Sequence, residues 1–435
     1  MNVLMISTNG LANNVALLIK NEGHYIKLYI KDKSCRGCFD NMVEKTTNWR
    51  KELKWVGKEG LIIFDDVGFG RIQDNLRKKG YKVFGGCEIG DKLEVDREFG
   101  QKIMKEYGLK TVPLKDFNDF EEAVLYIKKH PAPWVIKQND HGNKFLSYIG
   151  HFSDGRDVIS VLKNYLQNKN LNREKITLHK RIDGIEIGVG RYFNGFDWVG
   201  PIEMNIEHTK FFPGDLGPTT SEMGTVAWYE SDESNKLFCD VLKPFKSYLQ
   251  KIGFHGDFEI NCIVNETGAY PLEFTTRLGS PIIHLQSELH NFKWAGFLKA
   301  VANGNEYDLE YKKGYGVVLL LAVPPFPYSK KLRSSIFYGI NIYTNQLSKE
   351  EHAHVHYEEI AMRAGGKYDG QLYIADEQGY VGYVTSVDSD LCKAREKAVS
   401  IARKMIIPKV FFREDIGCRF ENEEIQWLRD WGYLK

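Results

Sequence analysis

The chain has 435 residues, 43% hydrophobic and 27% charged, a composition for two to four folded domains at roughly 100–200 residues each and too apolar for a disordered chain. Its 59 Lys+Arg nearly cancel 58 Asp+Glu, leaving a formal charge of +1, so no global basic excess exists to hold a nucleic-acid backbone and nucleic acid is an unexpected partner. The apolar run 317–323 is far short of the ~20 residues that span a bilayer; the start carries no signal-peptide pattern, and the scattered cysteines suit reduced thiols, so a soluble cytoplasmic protein is expected.

The first hundred residues alternate strand and helix. Residues 3–6 form a short apolar run, followed by the turn Ser7-Thr8-Asn9-Gly10 and a helical pattern through Val15, Leu18 and Ile19. Gly23 ends that helix, and residues 25–30 alternate as a strand. The unit recurs with a strand at 61–64, a turn at Gly68 and Gly70, a helix to Lys79 and a strand at 81–84. Such repeats predict a doubly wound parallel sheet with helices on its faces. The Gly10 turn lies where these folds bind ligands, between a strand C-terminus and a helix N-terminus, but it is not a dinucleotide fingerprint. One amphipathic helix is expected over 91–107 and another over 118–129, with a strand at 134–137 after Pro131 and Pro133. Helices follow near 156–166 and 244–251. The run 317–323 reads as a buried strand, residues 376–379 as a hairpin turn, and 391–405 as a helix with Asp388, Ser389 and Asp390 available to cap it. Three parts are expected: an α/β domain over 1–107, an α+β domain over 108–312 and a β-rich module over 313–435.

The most informative stretch runs from Gly256 to Arg277 and reads as a hairpin around Asn265-Glu266-Thr267-Gly268. Period two puts Asp257, Glu259 and Asn261 on one face of the first strand, and Glu273, Thr275 and Arg277 on one face of the second. Oxygen ligands on neighbouring strands beside an arginine suit Mg²⁺ bound to phosphates; a solvated face with a salt bridge is the alternative. Cys35 and Cys38 have zinc-knuckle spacing without a second ligand pair, which favours free thiols. His352, His354 and His356 alternate, either as a partly exposed strand face or as imidazole ligands.

On these residues the chain resembles a known family. Leu-Glu-Phe-Thr-Thr-Arg-Leu-Gly-Ser-Pro at 272–281 is similar to the Glu-Phe-Asn-x-Arg-x-Gly-Asp-Pro of phosphoribosylamine–glycine ligases, which are ATP-grasp enzymes. Gly-Asp-Leu-Gly-Pro-Thr-Thr-Ser-Glu-Met-Gly at 214–224 resembles their Gly-Asp-x-Gly-Pro-Asn-Thr-Gly-Gly-Met-Gly, and Phe-Arg-Glu-Asp-Ile-Gly at 412–417 their Tyr-Arg-x-Asp-Ile-Gly. The resemblance implies ATP-grasp architecture and an ADP-forming ligase that makes an amide through an acyl phosphate, using ATP with Mg²⁺ (or Mn²⁺). It implies Lys137, Arg97 and Lys144 on ATP phosphates, the backbone of Lys180, Arg181 and Ile182 on the base, and Glu186 on the ribose. Metal ligands would be Glu259, Glu273 and Thr275, with Arg277 and Lys137 stabilising charge. Substrates would meet Asn9, Gly10, His208, Lys210, Asp215, Thr220 and Ser280.

Several family positions are replaced. The first loop lacks the family's charged groups, Thr275 stands for Asn, Ser280 for Asp, and the phosphate loop at 139–144 is short. The expected partners are therefore a small amino acid and an amine, either the family's own pair or a different one, the amine possibly a nucleotide. A nucleotide-binding protein without catalysis is the other alternative. A monomer or weak homodimer is expected.

Overall fold

The computed structural model describes residues 1–138, 147–167, 175–328 and 336–435. Its first sheet holds β1 (Asn2–Ser7), β2 (Tyr25–Ile30), β3 (Glu44–Lys45), β4 (Leu61–Phe64) and β5 (Val83–Phe84) in the order β3-β2-β1-β4-β5. All its pairings are parallel. Val3 and Met5 enter one hydrophobic core while Leu4 and Ile6 enter another, as a parallel sheet covered on both faces requires. Strand order reverses on either side of β1. The crevice at the ends of β1 and β4 therefore falls at Asn9–Gly10 and Asp65.

The single helix expected over 91–107 is two, Glu88–Val95 and Arg97–Glu106. The break is Asp96, which sits in extended conformation and accepts the backbone N–H of Phe99 at 3.0 Å. An aspartate N-cap outcompetes helix continuation because it satisfies a donor of the new first turn.

A second, antiparallel sheet holds β6 (Leu114–Phe117), β7 (Trp134–Gln138), β8 (Tyr148–Ile149) and β9 (Ile176–Lys180), ordered β6-β9-β7-β8. With the helices Phe120–Lys129 and Arg156–Gln167 it encloses a core of its own around Phe120, Trp134, Ile136, Leu162 and Leu178.

The third sheet has eight strands. In chain order the remaining strands are β10 (Ile185–Asn194), β11 (Trp198–Glu207), β12 (Lys210–Phe212), β13 (Leu216–Thr219), β14 (Gly224–Glu230), β15 (His255–Asn265) and β16 (Gly268–Thr275). They are followed by β17 (Tyr315–Ala322), β18 (Val355–Tyr357), β19 (Ile360–Met362), β20 (Leu372–Ile374) and β21 (Tyr380–Asp388). The sheet runs β16-β15-β10-β11-β14-β17-β21-β18; β12 with β13 and β19 with β20 form separate ribbons. The residues around 376–379 are not a hairpin, because β20 pairs with β19 while β21 joins the large sheet. Glu359 accepts the N–H groups of Gly379 (2.8 Å) and Tyr380 (3.0 Å), holding the crossing in place. The helix Leu391–Lys404 is capped by Asp390, which accepts from the N–H of Lys393.

The three histidines do not share a strand face. A capping box at Ser348 winds Lys349–His352 into a helix, and only His356 lies in a strand. His354 meets Glu288 at 2.7 Å, while Asn14 donates to Nδ1 of His356 at 2.9 Å. Cys35 and Cys38 are buried free thiols, their pKa values pushed up chiefly by burial. Among the described residues no three His, Cys, Asp or Glu side chains form a metal cluster by themselves, and no helix is long and apolar enough to cross a membrane.

Candidate functional site

Register gathers the polar residues of four strands onto one face. Gly190 of β10 stands between Glu203 of β11 and Glu259 of β15, and Gly188 stands between Asn205 and Asn261. Across the next pairing Glu259 faces Thr275 and Asn261 faces Glu273. The glycines are what allow this arrangement. A Cβ at Gly188 would lie 2.4 Å from Asn205 Oδ1 and 2.6 Å from Glu259 Oε1. In the empty space above it Asn205 Nδ2 reaches over β10 and donates to Glu259 Oε1 at 3.1 Å.

The rest of the face is carboxylate and amide. Asn205 also donates to Glu203 (3.2 Å), Asn261 to Glu207 (3.0 Å), and Gln286, from the helix Ile282–Leu289, to Glu203 (2.5 Å). Burial and the neighbouring Asp257 push Glu203 up to about 8; burial and Glu259 push Asp257 up to about 7. Glu259 is also raised, by burial and by Glu203 and Glu207. Asn205 Oδ1 and Asn261 Oδ1 are buried without a hydrogen-bond partner among the described residues. Hard oxygen donors, crowded like charges and two orphaned amide oxygens form a donor set suited to Mg²⁺ or Mn²⁺.

Cationic groups lie at the edge of this face. Arg97, the first residue of its helix, donates from Nη2 to Glu273 Oε2 at 2.9 Å, and its Nη1 is buried with no partner among the described residues. Lys137 of β7 pairs in register with Thr177. Burial, with the positive charges of Lys137 and then Arg97, lowers His179 of β9 to about 3 while Glu273 opposes them, which places all four groups in one electrostatic neighbourhood. The crossing from β9 to β10 passes through Arg181 and Ile182. Its backbone is anchored by Lys180 N–H to Pro113 O (3.1 Å) and Arg181 N–H to Pro133 O (2.8 Å). Glu186 follows on β10, exposed and on the face shared by Gly188 and Gly190. Lys144 and the loop at 139–144 lie outside the described residues.

Arg277 is held from the other side. Its Nε donates to Glu94 at 3.0 Å and stands 3.6 Å from Asp66, and its Nη1 donates to Leu278 O at 3.0 Å. Burial alone would weaken its charge; Glu94 and Asp66 outweigh that and keep it protonated. Beside Asp66, Asp65 is fully buried and raised to about 7 by burial and by Asp66. It accepts the N–H of Ala12 at 3.1 Å, which fixes the turn through Asn9 and Gly10. Gly10 has φ +102°, and its N–H donates to Ser7 Oγ at 2.7 Å.

The remaining positions form a separate group. Asp215 is clamped by Arg413 (2.9 Å) and Arg419 (2.8 Å). Lys210 donates to Thr219 at 3.0 Å, and its carbonyl accepts from Arg413 at 2.9 Å. His208 accepts the N–H of Gly417 at 3.0 Å and is lowered to about 4 by burial, then by Arg413. Thr220 donates to the carbonyl of Thr209 at 2.8 Å. Ser280 Oγ and Tyr383 Oη are 3.3 Å apart, and Tyr383 donates to Glu358.

Glu203 and Asn205 escaped the sequence reading, although Ile-Glu-Met-Asn-Ile-Glu at 202–207 has the same period-two signal as β15. The pair Gly188 and Gly190 was the cue to its neighbour strand. Glu94, Asp66 and Gln286 carried no signal of their own.

Residues 95–282 match the family described as phosphoribosylglycinamide synthetase, ATP-grasp (A) domain. The chain is 22% identical to the phosphoribosylamine–glycine ligase of Clostridium acetobutylicum, over 96% of this chain and 99% of that one. It is 24% identical to that of Lactococcus lactis, over 87% of each. In structure it is similar to the phosphoribosylamine–glycine ligase of Thermotoga maritima, with a TM-score of 0.73 and 20% identity, covering 96% of this chain and 100% of that one. It is also similar to a biotin carboxylase of Campylobacter jejuni, with a TM-score of 0.62 and 14% identity, covering 98% of this chain and 96% of that one. The fold is ATP-grasp.

Proposed function

We propose that this chain, an ATP-grasp relative of the phosphoribosylamine–glycine ligases, is an ATP-dependent ligase that joins a carboxylate to an amine and releases ADP and phosphate. The observation that carries the reading is the face built by Glu203, Asn205, Glu259, Asn261 and Glu273, bordered by Arg97 and Lys137. In the reaction a substrate carboxylate oxygen attacks the γ-phosphorus of ATP, and the bond to the β-bridging oxygen breaks to give an acyl phosphate and ADP. The amine then adds to the acyl carbon, phosphate leaves, and the ammonium proton passes to a base. The chain's contribution is mainly positioning and charge neutralisation.

Lys137 and Arg97 take the phosphate charge; the backbone at Lys180–Arg181–Ile182 reads the base and Glu186 accepts the ribose hydroxyls. Glu259 and Glu273 hold the metal, with Thr275 across from Glu259 and the orphaned Oδ1 of Asn261 facing Glu273 as a further neutral ligand. The bound Mg²⁺ supplies charge neutralisation to the transferring phosphoryl group. Arg277, kept protonated by Glu94 and Asp66, stabilises the developing negative charge. Asn9, Gly10, His208, Lys210, Thr220 and Ser280 border the acceptor side, with Asp215 bracing it.

The acceptor side favours a pair other than glycine and phosphoribosylamine. Asp215 is spent on two arginines, and Ser280 leads to Tyr383 and Glu358 rather than to a cation. Incubation with ATP, Mg²⁺ and panels of amino acids and amines tests the reading through its nucleotide products. ADP and phosphate in stoichiometric amounts support it; AMP and pyrophosphate reject it.

A further inference from the structure

A cavity of ≈ 540 Å³ lies away from the acid-lined face, between the helix Asn13–Asn21 and the last third of the chain. It shares no residue with the site described above. Leu17, Met42, Tyr343, Tyr357 and Leu372 make its walls mainly apolar and aromatic, and Tyr343 is 43% exposed, a large aromatic surface facing solvent. Pockets of roughly 300–1,000 Å³ with such walls and a few convergent polar groups are the usual form of small-molecule sites.

Charge selects the ligand. Among the described residues no Asp or Glu lines this cavity, and its basic side chains are Lys20 and His352. Lys20 Nζ gives one donor to the carbonyl of Met42 at 2.6 Å, which leaves two of its three. Among the described residues neither Lys20 nor His352 has a carboxylate partner. Two of the amides present are committed to the walls: Asn41 donates to Met362 O at 2.7 Å and Gln371 to Ile342 O at 2.5 Å. Among the described residues the formal charge left to orient a ligand is therefore that of Lys20, with His352, Thr344 and Asn345 as further polar groups beside walls that suit a flat ring.

We propose that this cavity is a second small-molecule site, which takes a planar aromatic or heterocyclic anion. Its walls come from both ends of the chain, so a ligand in it ties the N-terminal helix to the C-terminal module. Tyr357 already makes one such tie, donating its N–H to Asn14 Oδ1 at 3.2 Å.

The test uses the full chain with saturating Mg·ATP and three probes that share one ring: indole-3-acetate, tryptamine and indole. Calorimetry should find one indole-3-acetate per chain and a raised melting temperature, with tryptamine weaker by about tenfold or more, the usual consequence of losing a charge-assisted contact. Lys20→Gln combined with His352→Gln should weaken indole-3-acetate by a similar factor and leave indole unchanged. Leu17→Trp and Thr344→Trp fill the cavity from opposite walls, and either one that folds should abolish binding. Equal affinity for tryptamine, retained binding in the filled variants, displacement by ATP, or no binding of indole-3-acetate would each overturn the proposal.

Discussion

Two regions of this molecule both gather carboxylates and reach opposite electrostatic states. Around Asp215, Arg413 is 2% exposed and binds Asp215, Asp415 and the carbonyl of Lys210 at 2.8–2.9 Å. Arg419 adds contacts to Asp215 (2.8 Å) and Glu424 (2.7 Å). Each of these arginines has acids in contact, so its charge is paired, although among the described residues Glu424 Oε2 and His208 Nδ1 are buried without a hydrogen-bond partner. On the face of β10, β11 and β15 the carboxylates of Glu203, Asp257 and Glu259 meet neutral amides, and two amide oxygens have no donor among the described residues. A network of opposite charges specifies packing, whereas acids buried more deeply among amides stay crowded until a cation arrives. The two regions therefore differ in depth and in the charge of the partners that meet their acids.

The comparison breaks hardest at Arg413. Arg413→Met leaves Asp215 and Asp415 without their buried partner and should cost about 3–5 kcal/mol, read as a fall in urea midpoint. A loss below about 1 kcal/mol would mean the network of opposite charges is an incidental surface feature. Gly188→Ala attacks the crowded acids. Its new Cβ would collide with Asn205 and Glu259 at 2.4 and 2.6 Å, for a stability cost of about 1–3 kcal/mol. Because the displaced groups are the proposed metal side chains, ADP release should fall far more than stability, and equal losses would detach this face from turnover.

The third prediction concerns pH. Glu203, Asp257 and Glu259 hold their protons in the folded chain to higher pH than the ordinary carboxylate range, mainly through burial and their mutual charges. Between about pH 4, where the unfolded carboxyls ionise, and about pH 7–8, where Asp257 and Glu203 do so in the folded chain, the unfolded state binds fewer protons. Stability without metal must therefore fall as pH rises through that window. Melting temperatures from pH 5 to 8 should decline, Mg·ATP should flatten the decline, and Glu259→Gln should make it shallower while raising the Mg²⁺ needed for half-maximal turnover. A flat metal-free profile would show that the acids are paired by other means. The smallest effect belongs to Arg97→Gln. Its ion pair with half-exposed Glu273 is worth only about 0–1 kcal/mol to the fold, so the urea midpoint should barely move while the ATP concentration for half-maximal turnover rises. Unchanged ATP dependence would remove Arg97 from the nucleotide site.

Local pattern made much of this legible in advance. The strand–helix alternation up to Phe84 forecast the parallel sheet, and period two forecast the common face of Asp257, Glu259 and Asn261. Where reading failed, the deciding contact was long-range. Nothing near Asn205 announces that it meets Glu259, 54 residues away, over a strand emptied of side chains by Gly188. Motif spacing located Asp215, but its capture by Arg413 spans 198 positions. Asp96 caps the second helix, yet the apolar periodicity on either side of it reads as one continuous helix. The histidine alternation misled because the capping box at Ser348 acts locally and is stronger than a period of two.

The separate core of the four-stranded sheet has a thermodynamic consequence. Phe120, Trp134, Ile136 and Leu178 pack among themselves rather than into the main core, so this leaf is a cooperative unit of its own, a foldon joined to the rest by the approach to Pro113 and the crossing at 181–184. It carries Lys137, while Glu259 and Glu273 belong to the large sheet. Swinging the leaf toward the acids would therefore rotate a few backbone bonds and leave both interiors intact, and its amides would exchange with solvent on a clock independent of the eight-stranded sheet.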